Sequence, residues 1–361
     1  MSDLLPKSRN FQLTDRMNIY IISEQLFIQT GRRMPNVFRD NDRFLRLQVQ
    51  AAWLYYINNL TQQEIATRLG ISRVKVTRLI RQARENDLVT ISINSPLTNM
   101  YYEQQEELVK LYDLQNAIVT IPAEDEQTLM PILANTTASY LADQLKPGMV
   151  VGVGVGRTVS LIPRYFLPQL DLNCTFVELS GGPAAFLFDY AQADVTYRLA
   201  ERVGGKAVHL KAPFFVENAR AREILLRDPV ISQNLKLARS CDLAIFSVGT
   251  FDPESQLVQH GILSRQEVNR LQKAGVIGDV LSHMFDERGV EVPSSFSERL
   301  IGLNITDLTK LKKCILISGG DEKRNCILAA LKGKWVDILI TDENTANWLI
   351  QLEKEVGDNG R

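Results

Sequence analysis

Residues 60 to 86 read LTQQEIATRLGISRVKVTRLIRQAREN, and this stretch decides the architecture of the N-terminal part of the chain. Thr61 stands three residues before Glu64, the spacing of a reciprocal helix cap, and Ile65, Ala66 and Leu69 supply a packing face for the helix that follows. Gly70 falls where the chain must leave that helix in a left-handed conformation, and Ile71 can tuck under the turn. Ser72 then caps a second helix. At roughly 100° per residue, Val76, Leu79, Ile80 and Ala83 share one arc of it, while Val74, Thr77, Arg78 and Arg81 share the other.

One face therefore packs and the other is free, as a major-groove reader requires. Arg78 can chelate a guanine edge, Thr77 or Val74 can touch a thymine methyl, and Arg73, Lys75, Arg81 and Arg84 can reach phosphates. An outward valine at position 74 has no packing purpose on an ordinary surface helix. The plainer alternative is a helical hairpin with a solvated basic face.

Outward from this core, helical spacing begins at Arg46 and allows three helices up to Asn86, after which Leu88 to Ile93 alternates as a short strand would. Asn94-Ser95-Pro96 breaks the pattern and marks a domain boundary. The predicted division is an arm of unassigned role over 1–43, a helix-turn-helix domain over 44–95, a linker helix within 96–115 starting near Thr98, and an effector domain over 116–361. Within the arm, Ile19 to Ile28 reads as a short helix. Residues 1–95 carry 14 Lys plus Arg against 8 Asp plus Glu, a surplus of six, so a chain of net charge -1 leaves −7 for the remainder. A basic module joined to an acidic one fits a protein of which one part meets polyphosphate.

Beyond Tyr112 short β-branched runs alternate with helical ones: 117–121, 149–155, 175–179, 206–210, 242–248, 313–317 and 336–340. Such apolar strands between helices predict a parallel sheet covered on both faces. In the second run, MVVGVGVGRTVS (149–160), Gly152, Gly154 and Gly156 leave alternate positions without side chains. The turn into a helix at Thr158 offers backbone N–H groups to an anion, supplemented by Arg157 and Thr158. Tight strand–helix packing is the other reason for such glycines. A dinucleotide site is excluded because G-x-G-x-x-G fails from either Gly152 or Gly154.

Three further strand ends are similar in kind: 179–183 (LSGGP), 247–250 (SVGT) and 317–323 (ISGGDEK). Ligands of open α/β sheets collect at the carboxyl ends of strands, so these loops predict one pocket. Lys323 near a helix start can neutralise a phosphate, or be a solvated surface lysine, and Asp279 can accept hydroxyl hydrogens. His260 falls near this pocket or serves structure alone, and 286–289 (DERG) reads as a turn. The four cysteines and three histidines are dispersed, which points to buried thiols in a reducing compartment and calls for neither a metal nor a cofactor. No apolar run approaches the ~18 residues of a membrane span, and the first 25 residues lack a signal-peptide pattern, so a cytoplasmic protein is expected.

In order along about residues 44 to 350, LTQQEIATRLGISRVKVTRLI, VGVGVGRTV, VELSGG, GVIGDVLSHMFDERG and ISGGDEKRNCILAALKGKWVDILITDENTA resemble the SorC family of bacterial transcriptional regulators, related to the wider DeoR group. The resemblance implies a winged helix-turn-helix joined to a Rossmann-like domain of the phosphosugar isomerase and transferase type without its catalysis. It further implies double-stranded operator DNA, a phosphorylated sugar or polyol effector, and a homodimer or homotetramer. Carried over residue by residue, the effector loops fall on Gly154, Gly156, Arg157 and Thr158 and on Gly181 and Gly182, with polar contacts from Asp279 and Lys323. Residues 1–43 have no counterpart.

Three functions compete at this point. A ligand-responsive regulator of carbohydrate genes is favoured. A phosphosugar isomerase or transferase with a DNA-binding head would need a fixed general base, for which Asp279, Glu178 and His260 are the candidates. A general promoter-binding factor would associate with polymerase and ignore ligands.

Overall fold

The computed structural model describes residues 18–21, 42–86, 88–92, 100–167, 172–182, 195–253, 258 and 262–359. The chain divides into two compact units, Met1–Ser95 and Pro96–Arg361. Among the described residues no helix is long and apolar enough to cross a membrane.

The first unit holds three helices, α1 (Asp42–Tyr56), α2 (Gln62–Leu69) and α3 (Arg73–Glu85). The expected caps form. Thr61 Oγ1 accepts from the Glu64 amide at 3.3 Å while the Thr61 amide donates to Glu64 Oε2 at 2.7 Å, and Ser72 Oγ accepts from the Lys75 amide at 3.3 Å. Gly70 takes the left-handed conformation, φ 64°, that ends α2. Ile65, Ala66, Val76, Leu79 and Ile80 close a small core with Ala51 of α1.

A two-stranded antiparallel ladder joins β1 (Asn18–Ile21) to β2 (Val89–Ser92), with Ile19 opposite Ile91. The short helix expected at Ile19 to Ile28 is thus corrected over Ile19–Ile21, where a run of β-branched and aromatic residues pairs as a strand. Positions 22–28 lie outside the described residues. The strand after α3 thus pairs with one from the N-terminal arm.

The second unit opens with α4 (Tyr102–Tyr112), the segment expected to be a linker helix. Leu108 and Tyr112 are buried there, and the Tyr112 hydroxyl donates to the Leu349 carbonyl at 2.9 Å. The segment is therefore part of this unit's core. The residues expected at 98–99 lie outside the described ones.

Seven parallel strands follow the seven β-branched runs: β3 (Asn116–Thr120), β4 (Val150–Val153), β5 (Thr175–Glu178), β6 (Lys206–Val208), β7 (Leu243–Phe246), β11 (Cys314–Ile317) and β12 (Ile338–Asp342). Their order across the sheet is β3-β12-β11-β7-β4-β5-β6. Alternate residues face opposite layers: Leu243, Ile245, Ile315 and Ile317 pack in one core, Ala244, Phe246, Cys314 and Leu316 in the other. Helices α5 (Glu126–Gln144), α6 (Arg157–Tyr165) and α7 (Val195–Arg202) pack along one layer. Helices α8 (Ala219–Leu226) and α9 (Pro229–Arg239) follow before β7.

The run expected as a single strand over 242–248 is two. After β7, the chain leaves at Ser247 and enters β8 (Val248–Thr250), which pairs antiparallel with β9 (Val276–Val280), itself paired with β10 (His283–Asp286). Helix α10 (Arg265–Lys273) precedes β9, and Leu271, Val276, Met284 and Phe296 form a satellite core beneath this second sheet. Residues 286–289 form the expected turn, with Gly289 at φ 72° and the Asp286 carboxylate accepting from the Arg288 and Val290 amides. Short α11 (Ile305–Leu308), α12 (Arg324–Lys332) and α13 (Glu343–Asn359) complete the unit.

Sequence-consecutive strands run from β4 through β5 to β6 in one direction, then from β7 through β11 to β12 in the other. The reversal lies between β4 and β7. At such a point the loops leaving neighbouring strands diverge and open a crevice at the carboxyl edge.

Candidate functional site

The free face of α3 is the first candidate. Val74 is 80% exposed, and Arg73, Lys75, Thr77 and Arg78 are exposed beside it. Arg81 forms a solvent-exposed pair with Glu85 at 3.4 Å, a contact too weak to hold the guanidinium against a phosphate. Thr77 differs from its neighbours, because its hydroxyl donates to Gln62 Oε1 at 2.7 Å, with the Arg73 carbonyl at 3.1 Å as a second acceptor. Its side chain ties α3 to α2 rather than projecting freely.

The second candidate lies at the carboxyl edge of the parallel sheet. Three loops converge there on one point. Glu126, in the first turn of α5 after β3, accepts from Arg157 at the start of α6, with Nη2 2.8 Å from Oε1 and 2.9 Å from Oε2. The same Oε1 lies 3.0 Å from Lys323 Nζ, delivered by the short 3-10 turn Asp321–Lys323 after β11. The Lys323 side chain is only 14% exposed, so it is not a solvated surface lysine. Burial pushes the Glu126 carboxyl up, but Lys323 and then Arg157 outweigh it and hold it below the usual carboxylate range.

The loop carrying Lys323 is fixed from the next strand. Asp342, buried at the end of β12, accepts from the Gly320 amide at 2.8 Å and from Thr345 Oγ1 at 2.6 Å, while Gly320 sits at φ 88°. On the other side of Lys323, Asp279 of β9 accepts from the Ser282 amide at 3.1 Å. Burial raises the Asp279 carboxyl, opposed by Ser282 and by the positive charge of Lys323. A Cβ on Gly249 would stand 2.4 Å from Asp279 Oδ1, so glycine there makes room for the carboxylate.

The glycines divide by role. The first intrahelical bond of α6 runs from the Ser160 amide to the Gly156 carbonyl at 2.9 Å, so the amides of Arg157, Thr158 and Val159 precede it and point out of the helix start. Gly156 is extended and lines a small hollow with Ser160, Glu178 and Ser180. Gly154, Gly181 and Gly182, on which the resemblance puts effector loops, have their N–H groups taken by the Ile245, Ile301 and Ala212 carbonyls at 2.8, 2.7 and 2.9 Å, while Gly154 and Gly181 line the same hollow as Gly156. A Cβ would fall 2.7 Å from Phe246 Cβ at Gly154 and 2.2 Å from the Pro213 oxygen at Gly181, so close packing requires glycine at both. The Thr158 side chain is buried at 2% exposure, which leaves its amide as its contribution to the helix start.

Glu178 is engaged on both oxygens, by His209 Nδ1 at 2.8 Å and by the Leu210 amide at 2.9 Å, which suits a fixed hydrogen-bonding post better than a general base. Ser180 Oγ is buried in the same hollow with no partner among the described residues. A larger hollow of about 640 Å³ is lined by four carboxylates, Glu124, Asp125, Asp321 and Glu322. His260 lies outside the described residues. Sequence reasoning missed Glu126, in the first turn of the helix after β3, and Asp342, the last residue of β12; a carboxylate at or just beyond a strand's carboxyl end is the one signal that points at this edge.

Comparison with known proteins places these features. Residues 96–351 match the family described as "Putative sugar-binding domain", and residues 53–86 match "Sigma-70, region 4". The deoxyribonucleoside regulator of Bacillus subtilis (strain 168) is 30% identical over 310 residues, covering 84% of this chain and 97% of that protein. The erythritol catabolism regulatory protein EryD of Brucella abortus (strain 2308) is 30% identical over 306 residues, covering 84% and 96%. The crystal structure of the full-length sorbitol operon regulator SorC from Klebsiella pneumoniae is similar with a TM-score of 0.64 at 28% identity, over 85% of this chain and 98% of that one. These relatives are regulators, not isomerases or transferases. Because the sugar-binding match spans most of the chain and the relatives are matched almost end to end, the chain belongs to the SorC family of transcriptional regulators.

Proposed function

We propose that a phosphorylated sugar or polyol binds at the carboxyl edge of the parallel sheet and changes the affinity of the chain for operator DNA of carbohydrate genes. The observation that carries this reading is the convergence of Arg157 and Lys323, from two different strand-end loops, on one anionic group about 3 Å away. Two converging cations, one of them on a helix start whose first amides lack intrahelical partners, suit a phosphate better than a neutral sugar. Asp279, Glu178 and Ser180 are placed to accept or share hydroxyl hydrogens from the rest of the ligand.

In the head, Val74 and Arg78 read base edges, Arg73, Lys75 and Arg81 meet phosphates, and Thr77 holds α3 at its angle. Operators with paired half-sites call for a homodimer or homotetramer, acting in the cytoplasm where the DNA lies. A thermal-shift screen of the full chain tests the effector class. Phosphorylated sugars or polyols should raise the unfolding temperature in a concentration-dependent way, since a ligand bound to the native state stabilises it by mass action. Stabilisation by the unphosphorylated counterparts at equal concentration would overturn the phosphate requirement.

A further inference from the structure

We infer that Glu126 is a resident counter-anion, occupying the Arg157–Lys323 pair until the effector's phosphate displaces it, and so sets which ligands the site accepts. The inference rests on the phosphate-binding reading above and adds to it a residue that opposes binding.

Glu126 holds both cations, with both oxygens at 2.8 and 2.9 Å to Arg157 and with Oε1 at 3.0 Å to Lys323. Glu126 follows the cap residue Asp125, whose own carboxylate accepts from the Thr128 amide at 2.7 Å, so the start of α5 is satisfied without Glu126. Among the described residues, the ion pair of each cation is with Glu126. The Glu126 and Arg157 side chains are 34% and 53% exposed, leaving both room to swing away.

The charges favour the exchange. Once Glu126 swings away, Arg157 and Lys323 offer two cations to an incoming anion. A phosphate monoester, close to a dianion above its second pKa of about 6, offers three oxygens where the carboxylate offers two. A neutral sugar brings no charge to replace that of Glu126 and leaves the ion pairs in place. Selection for phosphorylated ligands is thus built from competition as well as attraction.

The test is calorimetric titration of the full-length chain with inorganic phosphate, comparing the wild type with Glu126→Gln, Glu126→Asp, Arg157→Gln and Lys323→Gln. Removing the competitor should tighten phosphate binding at least about tenfold in Glu126→Gln, the scale of one lost charge-assisted contact. Glu126→Asp, which keeps the charge but loses reach, should fall between wild type and Glu126→Gln, and it decides the question should Glu126→Gln not fold. Arg157→Gln and Lys323→Gln should weaken binding. If these two weaken binding while Glu126→Gln binds no more tightly than wild type, the counter-anion role is wrong and the phosphate site stands. If phosphate binds neither the wild type nor Glu126→Gln, both fall.

Discussion

The Thr77 hydroxyl donates to Gln62 Oε1 at 2.7 Å, joining the second helix of the DNA-binding motif to the first across fifteen residues of sequence. A residue read from the sequence as a groove contact is thereby a strut between α2 and α3. Gln62→Ala should then lower operator affinity about as much as Thr77→Val, with base preference unchanged in both. Each should cost no more than about 1 kcal/mol of stability, the net worth of one exposed hydrogen bond. Selection from random DNA by each variant is the check: a changed consensus in Thr77→Val alone returns the side chain to base reading.

Arg78 stands on the exposed face of α3 without the strut role. Arg78→Ala should weaken specific operator binding by about 1 to 3 kcal/mol and relax preference at one base pair. Lys75→Ala should weaken all sequences alike and reduce the salt slope by about one. Equal loss on random DNA for Arg78→Ala contradicts its base-reading role.

Lys323→Ala should abolish the effector-induced change in operator affinity and leave effector-free operator binding at its wild-type level. The measurement is an operator titration with and without saturating effector. A normal shift in the variant removes Lys323 from the site.

Gly181→Ala should destabilise the ligand-free protein by about 1 to 3 kcal/mol through overpacking, because a Cβ there would lie 2.2 Å from the Pro213 oxygen. Denaturant unfolding without ligand reads this directly. Unchanged stability together with lost effector binding would restore a ligand-contact role to the glycine.

All four cysteines are buried, and burial pushes the Cys241 thiol up to about 11 and the Cys326 thiol up to about 12 from the ordinary value of 9.0. Native thiols then keep their protons while unfolded ones ionise. The stabilisation they bring is complete below about pH 9 and is lost as pH climbs through the native values, at up to ~1.4 kcal/mol per pH unit for each thiol. Unfolding free energies measured from pH 8 to 11 should fall, and alanine at Cys241 should flatten part of that fall.

Much of this arrangement is legible in the sequence, for local reasons. The caps at Thr61 and Ser72 and the turn at Gly70 are written within four residues of the atoms they satisfy. The parallel strands are legible because each is apolar on both faces. The antiparallel strand β9 is not, since Gly278 and Asp279 interrupt its apolar pattern just where it borders the site. The Glu126 contacts with Arg157 and Lys323 span 31 and 197 residues, and no spacing rule reaches that far. The packing role of Gly154 is hidden for a related reason: its neighbour Phe246 ends β7, about ninety residues on.

The most direct test is an operator selected in vitro from random DNA, titrated with the full chain in the presence of a phosphorylated sugar or polyol that stabilises it and, separately, the same compound without its phosphate. The phosphorylated ligand should change operator affinity severalfold or more, the unphosphorylated one should not, and Arg157→Gln should lose the response. An operator affinity indifferent to every ligand that stabilises the protein would contradict coupling between the sugar-binding domain and the DNA-binding head.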